Sequence, residues 1–80
     1  MNLNGNHFYE TPDLKQGAFL LANHVVFRGL KWDAKHKQAT LLFDIPPDSV
    51  LAEWIKGQSK FLKEYQEARD FLRDRIEEER

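Results

Sequence analysis

The apolar positions along this chain change period twice. A stretch of period 3.6 near the start gives way to two stretches of period two, and after residue 45 the period returns to 3.6 and persists almost to the end. His7-Phe8-Tyr9-Glu10 reads as a short strand, since two adjacent aromatics suit a sheet edge with one buried face. Thr11-Pro12-Asp13-Leu14 then reads as a helix start. Thr11 can accept a backbone N–H as N-cap, Pro12 loses nothing in a first turn, and Asp13 complements the positive helix end. Leu14, Ala18, Leu21 and Val25 recur at helical spacing, so the helix is expected to run to about Asn23. Asn23 would stop it in a left-handed conformation, with His24 near the carbonyl end. Gly17 lowers helix propensity by ~1 kcal/mol against alanine, which predicts that another element approaches closely there.

Residues 25–32 are rich in branched and aromatic side chains and predict a strand. Residues 33–37 form a polar turn that lacks the usual glycine. Residues 38–44 return as a second strand, with Ala39, Leu41 and Phe43 alternating onto one face, so the pair predicts a hairpin. Pro46-Pro47 ends it, because neither residue can donate to a ladder. Asp48 or Ser49 can open a short helix with Val50, Leu51, Trp54 and Ile55 as its apolar stripe and Gly57 as its stop. Ser59 can cap a last helix in which Phe61, Tyr65, Ala68, Leu72 and Ile76 recur, with Leu62 and Phe71 widening the stripe. Lys60–Glu64, Lys63–Glu67, Arg73–Glu77 and Arg75–Glu79 stand four apart, each pair worth ~0.3 kcal/mol. Glu77-Glu78-Glu79 puts acid at the negative helix pole, which predicts a frayed last turn.

These elements order as β-α-β-β-α-α. Strand, helix and second strand can form a right-handed crossover with parallel strands, and the hairpin's return strand then fills the gap between them. The expected fold is an α+β two-layer domain, a three-stranded sheet of order 1-3-2 with helices on one face. Residues 1–6 read as a flexible leader and 7–80 as one domain. The expected core is Phe8, Leu14, Ala18, Leu21, Phe27, Leu30, Leu41, Phe43, Trp54, Tyr65, Ala68 and Leu72.

Composition narrows the function classes. A chain of 80 residues buries little more than ~60% of its unfolded surface, so the core is thin. Without cysteine, neither a disulfide nor a thiolate metal site can brace it. A net charge of −1 gives no whole-molecule drive toward nucleic acid or anionic membrane. No apolar run approaches the ~20 residues that span a bilayer, and the first six residues do not resemble a signal peptide. A soluble cytoplasmic protein is expected.

The order of several local motifs resembles a family of small bacterial and phage-encoded proteins known only as a domain of unknown function. The matching residues are Tyr9-x-Thr11-x-Asp13-Leu14, Gly29, Phe43-Asp44-Ile45-Pro46, Trp54-x-x-Gly57, and Tyr65, Ala68 and Leu72. Together they cover roughly residues 8–76. The chain departs from that family at the hairpin turn, where a glycine is usual. The resemblance implies a fold and a phage or mobile-element origin, and no chemistry.

Candidate chemistry is sparse. His7, His24 and His36 lack the spacing that aims two nitrogens at one ion. Ser49 and Ser59 are explained as helix caps. Glu10, Asp13 and Asp44 could cluster at one sheet end, yet helix start and strand end account for the last two. We therefore assign no catalytic, cofactor or metal site and expect a non-enzyme. Two surfaces remain. The final helix is about 27 Å long against a sheet of about 20 Å, so the stripe of Phe71, Leu72 and Ile76 either overhangs, which suits a homodimer or another protein partner, or is used up where the last two helices fold back on each other. The hairpin carries Arg28, Lys31, Trp32, Lys35, His36 and Lys37, cations with an aromatic that could touch phosphate and stack a base. The leading expectation is a non-enzymatic binding or assembly module, homodimeric through the last helix. The alternative is an accessory nucleic-acid-binding protein of phage or mobile-element origin.

Overall fold

The computed structural model describes residues 7–56 and 62–80. The expected leader, the Gly57 stop, the Ser59 cap, Phe61 and the Lys60–Glu64 pair fall outside those residues, as does the side chain of Leu62. Along the chain run β1 (Tyr9–Thr11), α1 (Leu14–Ala22), β2 (Phe27–Trp32), β3 (Ala39–Phe43), α2 (Asp48–Ile55) and α3 (Leu62–Glu79). The sheet order is β1-β3-β2, with β3 antiparallel to both neighbours. The α+β fold and the strand order expected from connection rules are those observed.

The central strand sets the core. Phe43 is flanked by Tyr9 and Phe27, and Leu41 by Thr11 and Leu30. Period two puts this set on one face, and Leu41 and Phe43 are 1% and 0% exposed. α1 lies over them. A Cβ on Gly17 would overlap the Leu41 side chain and come within 3.3 Å of Leu72 Cδ1. At this glycine helix, central strand and α3 come close together, as its poor propensity predicted.

The ends of α1 differ from expectation. Thr11 is not the cap. Its pairing with Leu41 draws it into β1, where it is buried, and its Oγ1 accepts the Asp13 N–H at 3.1 Å. Asp13 caps instead, accepting the Lys15 N–H at 2.9 Å. At the other end Asn23 has φ −95°, and His24 takes the left-handed position at φ 67°. The N–H groups of His24 and Val25 return to the carbonyls of Leu21 and Leu20, a Schellman closure. Val25 therefore leaves the helix but stays buried. The buried arc of α1 is Gly17, Ala18, Phe19 and Leu20, wider than the expected stripe, because α1 is covered from more than one side. Phe19 meets Trp54 of α2 with ring centroids 5.3 Å apart, while Leu14 and Leu21 are half-buried.

Three other expectations are corrected. Phe8 is exposed, since it precedes Tyr9 on an alternating strand and Tyr9 takes the inner face. Ile55 is 82% exposed, although Val50, Leu51 and Trp54 pack against the core. The last turn of α3 continues to Glu79 rather than fraying. There Arg75 pairs with Glu79 at 3.0 Å, as the spacing predicted, and Arg80 approaches Glu77 at 4.0 Å. Arg73 reaches back to Asp70 at 3.7 Å and not to Glu77.

Gly17→Val is expected to destabilise the chain by about 1–3 kcal/mol, because the added methyls have no space between Leu41 and Leu72. A fall in urea midpoint at unchanged slope would show it. A variant as stable as the parent would mean that α1 does not sit this close to the sheet.

Candidate binding surfaces at the hairpin and the last helix

The β2–β3 turn is built without glycine. The Asp33 N–H donates to the Gln38 carbonyl at 3.1 Å, and the His36 N–H to the Asp33 carbonyl at 2.9 Å. Asp33 Oδ1 then accepts the N–H groups of Lys37 at 2.7 Å and Gln38 at 3.3 Å. Those bonds, the Lys37 one foremost, hold the Asp33 carboxyl below its ordinary range. His36 takes the left-handed position, φ 56°, that a glycine usually fills. Its ring stacks on Trp32 with centroids 4.2 Å apart. Its Nε2 lies 2.9 Å from the Glu79 carbonyl oxygen, and a carbonyl only accepts, so Nε2 carries the hydrogen. His36 thus caps the C-terminus of α3 from the hairpin tip, which explains why that turn holds.

Among the described residues, no core side chain packed by the helices lies on the other face of the sheet. Arg28 is the extra residue of a bulge, since Phe27 opposes Phe43 and Gly29 opposes Leu42. Gly29 has φ 137°, which side chains rarely adopt, and open space surrounds its missing Cβ. The bulge aims Arg28 at Asp44, whose two carboxylate oxygens accept from Nε at 2.7 Å and Nη2 at 3.0 Å. This bidentate bond pulls the Asp44 carboxyl below its ordinary range, opposed in part by desolvation, and raises the Arg28 guanidinium. Further along, Lys31 reaches across β3 to Glu10 of β1 at 3.4 Å.

The six hairpin residues proposed from sequence therefore divide. Arg28 and Lys31 are neutralised by carboxylates, Trp32 is half-buried with His36 against its ring, and His36 is tied to α3. Lys35 and Lys37 remain exposed at the tip. Glu10, Asp13 and Asp44 do not cluster, because each serves a different partner: Lys31, the α1 backbone and Arg28. Among the described residues no three His, Asp or Glu side chains converge as metal ligands. His24 borders a hollow of about 340 Å³ with Asn23 and Glu64, far from His36 in the fold's connectivity.

The helix surface also needs correction. Leu72 is 0% exposed and belongs to the core, and Ile76 is half-buried against it. α3 packs along α1, so the stripe is consumed inside the molecule and does not overhang. Only Phe71 of the three faces out, 46% exposed and edge-on to Phe27 at 6.1 Å. Arg75 covers the same ring, its Cζ 5.5 Å from the centroid. Two apolar residues that sequence reasoning left aside lie at this end of the sheet. Val26 and Ile45 are exposed on either side of the bond from the Asp44 N–H to the Val26 carbonyl. The run Val25-Val26-Phe27 carried the signal, since alternation must turn one of three apolar neighbours outward.

Comparison with known proteins returned no matching family model, curated protein or solved structure. Among the described residues no helix is long and apolar enough to cross a membrane.

Asp33 and Asp44 both have folded-state carboxyls held below the ordinary 3.8. Each contributes stability that is fully present above the unfolded-state value and lost as pH falls through the lowered one. Asp33→Ala and Asp44→Ala are expected to unfold earlier in urea than the parent at pH 7 (about neutral), with the gap closing under acid conditions. A gap of constant size across that window would show that the ionised carboxylates contribute nothing.

Proposed function

We propose that this chain is a small non-enzymatic binding or assembly module that pairs with a second copy through the surface around Phe71. The observation that carries this reading is Phe71, 46% exposed on α3 and edge-on to Phe27. Val26 and Ile45 are exposed as well, 48% and 59%. Large apolar side chains left out of so thin a core suit contact with another protein surface. The carboxylates weighed as candidates and the one in the turn have structural partners: Asp13 caps α1, Asp44 holds Arg28, Glu10 meets Lys31 and Asp33 anchors the turn.

The nucleic-acid reading draws its support from Lys35 and Lys37, exposed at a turn that Asp33 orders. Two cations make few phosphate contacts, so any affinity would be weak and steeply dependent on salt.

Sedimentation is expected to show a concentration-dependent dimer. Phe71→Glu and Ile45→Glu, both at exposed positions, should yield monomers with unchanged circular dichroism. A chain that stays monomeric throughout, or a dimer indifferent to both substitutions, would remove the assembly claim. Binding of single-stranded DNA or RNA at low salt that disappears in Lys35→Ala/Lys37→Ala would favour the second reading.

A further inference from the structure

The hairpin tip and the end of the last helix, 43 positions apart in sequence, meet through the side chain of His36. Its Nε2 stands 2.9 Å from the Glu79 carbonyl oxygen. Its ring lies on Trp32, centroids 4.2 Å apart and planes 23° from parallel. The backbone beneath is left-handed, φ 56°, where glycine is at ease and a side chain is disfavoured. The two ring contacts offset that cost.

Both contacts respond to charge. Imidazole is the side chain that ordinarily gains or loses its charge between about pH 5 and 8. A neutral ring can meet the Glu79 carbonyl in only one tautomer, with an ordinary N–H···O bond. An imidazolium carries a hydrogen on both nitrogens, and its bond to the carbonyl is roughly twice as strong. It also sets a cation at the negative pole of α3 and against an indole face. The surrounding charges are mixed. In the turn, Asp33 is close enough for His36 to help lower its carboxyl, and Lys35 and Lys37 flank the ring in sequence. On α3, Arg75 holds Glu79 at 3.0 Å and Glu78 at 3.9 Å, and Arg80 approaches Glu77 at 4.0 Å. β2 contributes the uncharged Trp32 ring. Carboxylates and cations are equal in number here, so the two direct contacts decide, and both favour the imidazolium.

We propose that His36 is a pH-operated latch. Its imidazolium clamps the hairpin tip to the last turn of α3, and loss of the proton loosens that turn. The clamp is tightest at the acid end of the histidine range and weakens as pH rises through it. Opening would release α3 from the tip that carries Lys35 and Lys37. The latch does not depend on the Phe71 surface, and a failed dimer would leave it standing.

The test is solvent exchange of the Glu78 and Glu79 amides, read by NMR on the ¹⁵N-labelled full chain and expressed relative to the unfolded-chain rate at each pH. Protection should be about threefold higher at about pH 5.5 than at about pH 8, the worth of one cation at a helix C-terminus. The window stays above the range in which ordinary carboxylates titrate. His36→Asn keeps a residue that tolerates the left-handed backbone and removes the titrating ring. It should protect the turn equally at both pH values, while His7 and His24 still titrate. A contact that only packs would show no pH dependence in the parent chain. Equal protection across the window in the parent, or a rise toward acid that survives His36→Asn, would each overturn the proposal.

Discussion

The approach of α1 to the central strand at Gly17 governs this structure. Leu41, Phe43 and Leu72 converge on a position that has no side chain. A thin core cannot tolerate a gap between its layers, because apolar atoms that lose their neighbours lose most of their contact energy. Setting the helix down this close lets Leu41 and Phe43 of β3 bury fully, and it brings α3 close enough to seal Ala68 and Leu72. The helix propensity lost at Gly17 is local and small. The burial that it permits involves four segments.

The same economy of material explains the hairpin. A turn with neither glycine nor a bulky apolar anchor would be loose. Here Asp33 supplies the acceptor that the turn needs, and His36 accepts a left-handed backbone. That conformation is unfavourable for a side chain, and the surrounding contacts must compensate it. Two do so: the ring stacks on Trp32, and its Nε2–H reaches the end of α3. The tip is therefore a structural joint, in which the His36 ring is engaged by Trp32 on one side and by the end of α3 on the other.

Much of the fold was legible because it follows from periodicity. The alternation of Ala39, Leu41 and Phe43, the double proline after β3 and the crossover rule together imply the strand order. What sequence could not resolve were choices between neighbours with similar chemistry. Thr11 and Asp13 both cap helices well, and the register with Leu41 decided between them. Asn23 and His24 both tolerate the left-handed region, and the Schellman closure placed it one residue later. The surface was harder to read for a different reason. Whether Leu72 faces out depends on where α3 docks, and whether Arg28 is free depends on a bulge that aims it at Asp44, sixteen positions away. Neither tertiary fact leaves a mark in local spacing.

Among the described residues the helices pack on one side of the sheet. The other face holds Lys31 and Glu10 paired across three strands, with Arg28 and Asp44 paired at the bulge, so these charges are spent on each other. Such a face stays solvated and gives a partner little reason to displace water. Phe71, Val26 and Ile45 stay exposed because the inner face of so small a sheet is already filled by Leu41, Phe43 and the helices packed on it. Among the described residues three strands and three helices have no further apolar face to lay over them.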